Sequence, residues 1–354
     1  MTNKPYRLPQ HHTGCHNVHT MSPTRKIGNS TFPAIGFGAM GLSTGYGAVD
    51  SDEERLKVLD AAHAVGCTFW DTADVYGDSE DLVGKWFKRT GKRSDIFLAT
   101  KFGFTPDLTI DGTPAHVRAA AASSLKRLGV NTIDLFYLHR ADKNTPIEIT
   151  VGAMAELVKE GKVKHLGLSE VSAATLRRAH AVHPIAAVQV EYSPFTLDIE
   201  DPKINLRNTA RELGVKIVAY SPLGRGLLTG QYKSPDDFEP DDFRRTIARY
   251  SVANFPNILA LAAGLKTIGA KHGATAGQVA LAWLLAQGDD VIPIPGTKKF
   301  KYLAENIGAG NLTLSPADLQ VVRDVAATAD AAHGDRYPSS IMGLLFCETP
   351  PLHG

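Results

Sequence analysis

An aspartate and a tyrosine stand five positions apart in Asp71-Thr-Ala-Asp-Val-Tyr76-Gly. Lys101 ends the run Ile-Phe-Leu-Ala-Thr-Lys, and His139 ends Ile-Asp-Leu-Phe-Tyr-Leu-His. A carboxylate, a phenol, an ammonium and an imidazole thus fall at or just past the carboxyl ends of short apolar, β-rich runs, where parallel α/β proteins place their chemistry. Brought to one mouth, they can protonate a carbonyl oxygen while another group delivers a hydride. A free phenol has a pKa of about 10, and an adjacent ammonium lowers it by stabilising the phenolate. Lys101 is read as that ammonium, Asp71 as the ion-pair partner holding it, and Tyr76 as the general acid. His139 is read as a hydrogen-bond donor that orients the carbonyl and supports the developing alkoxide. A lone Asp/Lys pair is usually structural and a lone His usually a satisfied core or surface group. Four such residues at consecutive strand ends favour a site.

The elements that must position these groups alternate along the chain. Strand candidates are Ala34–Phe37, Cys67–Asp71, Ile96–Thr100, Ile133–Leu138, Val163–Leu168, Ala186–Val190, Lys216–Tyr220 and Val291–Pro295. Helix starts are marked by Ser51 with Glu54, by Thr113 before Pro114, by Ser172, and by Thr275 with Gln278. Gly66 and Gly129 mark stops. Eight apolar strands separated by helices predict a closed (β/α)8 TIM barrel. An open doubly wound sheet is second: Gly36-Phe-Gly38-Ala39-Met40-Gly41 nearly spells a dinucleotide fingerprint, but Leu42-Ser-Thr-Gly45 is read as a loop and not as the helix that motif needs. Gly28-Asn29 between short extended runs predicts a lid hairpin ahead of the barrel. The expected organisation is a disordered tail over residues 1–22, a barrel over 23–335 and a C-terminal tail over 336–354. The tail cluster His11, His12, Cys15, His16 and His19 lacks the supporting shell that holds metal ligands, so no metal is expected.

At 354 residues with net charge +1 and interspersed charges, the chain fits a soluble enzyme and not a partner of nucleic acid or anionic membrane. No apolar stretch is long enough to span a bilayer and no secretory signal is visible, so a cytoplasmic location is expected. Cys15, Cys67 and Cys347 are odd in number and widely spaced, which argues for reduced thiols, Cys67 being a core residue.

A second set of stretches completes a pattern: Leu138-His139-Arg140, Gly167-Leu-Ser169-Glu170, Val188-Gln189-Val-Glu-Tyr, Ala219-Tyr220-Ser221-Pro-Leu223-Gly224-Arg-Gly-Leu-Leu, Ile294-Pro-Gly296-Thr297-Lys298 and Glu305-Asn306. With the Asp71 to Gly77 run, they make residues 24–335 resemble the aldo-keto reductases, near the branch acting on varied aldehydes and ketones in bacteria, fungi and plants. The resemblance implies an NADP(H) cofactor; the residues themselves ask only for some hydride carrier, since no side chain here stores a hydride. It implies that Gly38, Ala39, Met40, Asp71, Ser169, Gln189, Tyr220, Ser221, Leu223, Gly224, Gly296, Thr297, Lys298, Tyr302, Glu305 and Asn306 meet that cofactor. Ser169 and Gln189 would hold the carboxamide and Tyr220 would stack on the nicotinamide. Ser221, Leu223 and Gly224 would cradle the pyrophosphate, Glu305 and Asn306 would hold the adenosine, and Lys298 would meet the ribose 2′-phosphate. A cation with no carboxylate nearby suits NADP(H) over NAD(H).

Two departures bear on the pocket: Met40 replaces a Trp of relatives with compact pockets, and Glu170 replaces the more widespread Asn. Tyr46, Phe102 and Phe104 are the candidate substrate-pocket residues, and a small-molecule carbonyl or alcohol the expected partner. The long polar segment Gly224 to Asn257 is expected to cover the cofactor. Two other readings remain: a Schiff-base aldolase using Lys101, and an NADP(H)-binding regulatory subunit with little turnover.

Overall fold

The structure, a computed structural model, describes residues 23–352. The readings on the His-rich tail, including Cys15, lie outside the described residues. Thr24–Ile27 (β1) and Ser30–Pro33 (β2) form the antiparallel hairpin about Gly28-Asn29. Eight parallel strands follow: Phe37–Gly38 (β3), Phe69–Asp71 (β4), Phe97–Phe102 (β5), Ile133–Leu138 (β6), Val163–Ser169 (β7), Ile185–Glu191 (β8), Lys216–Tyr220 (β9) and Val291–Pro293 (β10). Each pairs with its sequence neighbour, and helices cover the outside.

The first and last strands meet at a seam. Gly36 N donates to Pro293 O at 2.9 Å and Gly38 N to Pro295 O at 3.3 Å, curling the sheet into the (β/α)8 barrel. Side chains would block this approach: a Cβ on Gly38 would stand 2.8 Å from Ile294 O, and one on Gly296 2.6 Å from Gly38 O. The near-fingerprint glycines therefore serve barrel closure. The loop expected after them begins as one helical turn, Met40–Ser43, and goes no further.

Period-two alternation divides each strand. Phe69, Phe97, Ala99, Leu135, Tyr137, Ala187, Val218 and Ile292 fill the barrel interior, joined by Ile27 and Phe32 of the hairpin. Phe32 stacks on Phe69 at 4.9 Å, so the hairpin plugs the end where the strands begin, opposite the mouth where they end. Trp70, Leu98, Phe136, Leu138, Leu166, Leu168, Val188 and Ile217 face the helices.

The helix signals act as read. Ser51, Thr113 and Ser172 accept from the backbone N–H three residues on, Thr275 and Gln278 close a capping box, and Gly129 ends its helix at φ 63°. Cys67 and Cys347 are buried free thiols. Among the described residues no helix is long and apolar enough to cross a membrane.

The segment read as a C-terminal tail, residues 336–354, makes buried contacts with the barrel. Arg336 is 2% exposed and ion-paired to Glu170 and Glu191. Cys347 bridges Val171 in parallel, and Arg178 donates to the carbonyls of Thr349 and Pro350. Residues 336–350 are therefore bound into the barrel. Their polar anchors are scattered through the sequence and carry no periodic signal.

Candidate active site

Strand parity explains why the chemistry converges. On β4, β5, β7 and β9 the inward series ends in Asp71, Lys101, Ser169 and Tyr220, and β8 carries Gln189 one step before its end, each standing where an apolar residue would fill the next interior layer. His139 follows β6 in register with inward-facing Tyr137, its N–H bonded to Phe102 O. Tyr76 arrives on the turn after β4, which is pinned when Asp74 N donates to Lys101 O at 3.1 Å.

Lys101 is fully buried and ion-paired to Asp71, and it donates to Thr72 O at 2.8 Å and to the Tyr76 hydroxyl at 3.5 Å. The Tyr76 hydroxyl also lies 3.5 Å from His139 Nε2, with the two rings edge-to-face at 5.5 Å. Gln189 Nε2 donates to the second Asp71 oxygen at 2.7 Å, so the residue expected at a carboxamide also braces the ion pair. Arg140 Nη1 donates to Ser169 Oγ at 3.1 Å.

The electrostatics refine the expectation for the acid. Burial pushes the Tyr76 phenol above its ordinary value, and Lys101 only partly opposes it, so the net direction is upward and not downward. Burial works against the Lys101 ammonium, but Asp71 and Tyr76 outweigh it and hold Lys101 above its usual value. The pair is thus a charged lysine beside a protonated phenol. Burial, then the cations Arg140 and Lys101, push His139 well below its usual value, leaving a neutral imidazole at neutral pH.

The other expected cofactor residues form two further patches. After β9, Ser221, Gly224, Arg225 and Gly226 all have positive φ, from 49° to 91°, a turn-rich backbone that approaches phosphate easily. Arg225, missed from sequence, is buried among Phe243, Tyr250 and Tyr337, and its Nη1 has no partner among the described residues. Leu223 and Glu305 meet across Gly277, whose Cβ would stand 3.6 Å and 3.5 Å from them. Glu305 also accepts from Thr275 Oγ1 at 2.6 Å, and Asn306 is buried.

After β10, Thr297 Oγ1 accepts from Lys299 N at 3.1 Å, and Lys298 Nζ donates to Tyr46 O and Ala48 O, both at 2.8 Å. Ala39 N donates to Asp71 O at 2.8 Å, placing the Gly38-Ala39-Met40 turn over the ion pair. Tyr302 sits beside Lys301, its ring 5.8 Å from that ammonium. Burial lowers the Lys298 ammonium, Asp50 and Asp242 opposing it only in part.

Of the pocket candidates, Phe104 lies edge-on to His139 at 5.2 Å. Tyr46 lies 5.2 Å from the Arg244 guanidinium, its phenol pushed up to about 12 by burial. Phe102 is corrected: it has outward parity on β5 and stacks on Phe136 at 4.7 Å in the helix-facing layer. The segment after Gly224 folds as short 3-10 turns, with Arg244 between Tyr232 and Phe238. Among the described residues no group of three His, Cys, Asp or Glu is disposed to hold a metal.

The model of the Aldo/keto reductase family matches residues 34–327. This chain belongs to that family. It is 66% identical over 335 residues to aldo-keto reductase str7 of Strobilurus tenacellus, covering 93% of this chain and 98% of that protein. It is 51% identical to the aldo-keto reductase yakc [NADP(+)] of Schizosaccharomyces pombe, with coverage of 93% and 98%. Among solved structures, the glycerol dehydrogenase AKR11B4 of Gluconobacter oxydans superposes with a TM-score of 0.80 at 27% identity, covering 88% of this chain and 97% of that one.

Proposed function

We propose that this aldo/keto reductase reduces a small-molecule aldehyde or ketone to the alcohol with NADPH, Tyr76 giving the proton to the carbonyl oxygen. The observation that carries the reading is the Tyr76 hydroxyl between Lys101 Nζ and His139 Nε2, 3.5 Å from each. Bound NADPH supplies the hydride. The residues fit that cofactor: the unpartnered Arg225 Nη1 beside the positive-φ turn suits an anionic phosphate, and Tyr220 offers a ring at the mouth. The printed name of the fission-yeast relative carries NADP(+), which supports the choice.

The chain's own groups then have distinct tasks. Tyr76 donates its proton and Lys101 stabilises the phenolate left behind. Asp71 keeps Lys101 charged, and Gln189 keeps Asp71 oriented. His139, neutral, donates to the carbonyl oxygen as charge develops there. A Schiff-base role for Lys101 needs a neutral amine, which Asp71 opposes. Borohydride with a carbonyl substrate should leave Lys101 unmodified. The complete Asp71, Tyr76, Lys101 and His139 set favours turnover over a purely regulatory subunit. A cytosolic location is supported by the two buried free thiols, and the near-neutral charge argues against nucleic-acid partners. A panel of aldehydes, ketones and alcohols followed by NADPH absorbance tests the reading, and failure of every carbonyl to consume NADPH would remove it.

Lys298 makes the cofactor choice testable. Two of its three N–H groups go to Tyr46 O and Ala48 O, which leaves one for a phosphate oxygen. A charge-assisted bond contributes roughly 1.5–3 kcal/mol, about ten- to a hundredfold in affinity. Lys298→Ala should therefore weaken NADPH binding far more than NADH binding. Untying the Tyr46 loop would weaken both alike, so the ratio is the diagnostic quantity. Fluorescence titration of this variant and of the Lys298, Lys299 and Lys301 triple-alanine variant checks it; equal losses for both nucleotides in the triple variant remove the 2′-phosphate assignment.

Metal independence is a further expectation, because the charged Lys101 repels a cation at the mouth. Turnover should survive exhaustive chelation. Loss of activity restored by zinc alone would contradict the assigned chemistry.

A further inference from the structure

We propose that Arg336, in the segment after the barrel, is a positioning residue that holds the Tyr220 ring in place at the mouth and thereby sets the affinity for the nicotinamide cofactor. The inference rests on the cofactor reading above. Tyr220 ends β9 with its ring at the mouth, and a lone tyrosine there could swing about its Cα–Cβ bond. Here its hydroxyl is saturated. It donates to Glu170 Oε1 at 2.8 Å and accepts from Arg336 Nη1 at 3.0 Å and from the Tyr337 hydroxyl at 3.2 Å. One donor and two lone pairs are the whole capacity of a phenol.

Arg336 is itself held on every side. Nη1 also donates to Glu170 Oε1 at 3.1 Å and Glu191 Oε2 at 3.2 Å, Nη2 donates to Glu170 Oε2 at 2.9 Å, and Nε lies 3.3 Å from Asp198. Glu170 is equally constrained. It has φ 52°, its N–H donates to Gln189 O at 3.1 Å, and its carbonyl accepts from Cys347 N at 2.8 Å. Glu170 and Arg336 therefore form a fork that grips the phenol. Stability alone does not explain such a cluster, since buried ion pairs are often no better than apolar residues of the same volume. Its structural consequence is a ring whose hydroxyl end is pinned, so that it cannot swing away from the mouth.

A double-mutant cycle in the full chain tests this, using Arg336→Met, Tyr220→Phe and both together. The readouts are NADPH affinity by fluorescence, the split between KM for NADPH and kcat, and thermal unfolding. Each single variant is expected to weaken NADPH binding on the order of tenfold by releasing the ring. The double variant should bind no worse than the weaker single one, because both remove the same tether. For Arg336→Met the effect should fall on KM for NADPH, with kcat at saturating NADPH changed much less. Should Arg336→Met not fold, Arg336→Lys decides, since it keeps the charge but loses the fork; it should raise KM for NADPH severalfold. Losses that multiply to about a hundredfold, or a folded Arg336 variant that binds NADPH like the parent protein, would overturn the proposal. Failure of the unmodified protein to bind NADPH would remove the cofactor reading and this inference together.

Discussion

Tyr76→Phe should cut kcat for carbonyl reduction by about 10²–10⁴-fold, the usual contribution of a positioned general acid, while leaving NADPH affinity nearly intact. The hydroxyl it removes lies between Lys101 and His139 and makes no bond on which the fold depends. The pH profile carries the sign. The proton-donating form is lost as pH rises through the phenol's value, and burial holds that value above 10 in the free enzyme. Reduction rates should therefore stay flat across neutral pH and fall only on the alkaline side. In the Phe variant the residual rate should lack that alkaline limb. His139, held well below its usual value, adds no second limb near neutrality. Near-parental turnover in the Phe variant, with chemistry shown to be rate-limiting by single-turnover kinetics, would remove Tyr76 from the role.

The barrel and its mouth were readable because they rest on periodic signals. Continuous apolar strands, capping residues at Ser51, Thr113, Ser172 and Thr275, and polar residues at strand ends are local patterns. The structure reproduces Ile133–Leu138 and Lys216–Tyr220 to the residue. Parity was the unused signal. Counting by twos from Lys101 along β5 makes Phe97 and Ala99 inward and Phe102 outward, so the pocket assignment for Phe102 could have been rejected from sequence. The sign of the Tyr76 shift was not legible, because desolvation depends on packing from the whole mouth while the Lys101 effect is a single pair. Arg336 was invisible for a related reason. Its partners Glu170, Glu191 and Tyr220 lie between 116 and 166 residues away, and nothing local distinguishes a buried cation from a surface one.

Asp71→Asn should be the most damaging single change to the protein as a whole, because it strands a charge. Lys101 has no exposed surface, and its remaining partners would be a carbonyl and a phenol. Removing one member of a buried pair typically costs about 3–5 kcal/mol, a large part of a domain's net stability. The pH dependence should invert. With Asp71 present, Lys101 sits above its ordinary value, so its stabilisation is present throughout the neutral range and is lost only as pH rises past that value. Without Asp71, burial dominates and the folded-state value drops below the unfolded one. The unfolded chain then binds the extra proton, and stability must rise with pH. Urea unfolding at mildly acidic and at alkaline pH should therefore show a deficit that shrinks as pH increases. The double variant Asp71→Asn with Lys101→Met removes the stranded charge and should recover much of the stability while remaining inactive, which separates holding the fold from tuning the acid. A single Asn variant that kept parental stability across that range would show that the pair does not hold the fold, and a double variant that turned over carbonyls normally would show that it does not tune the acid.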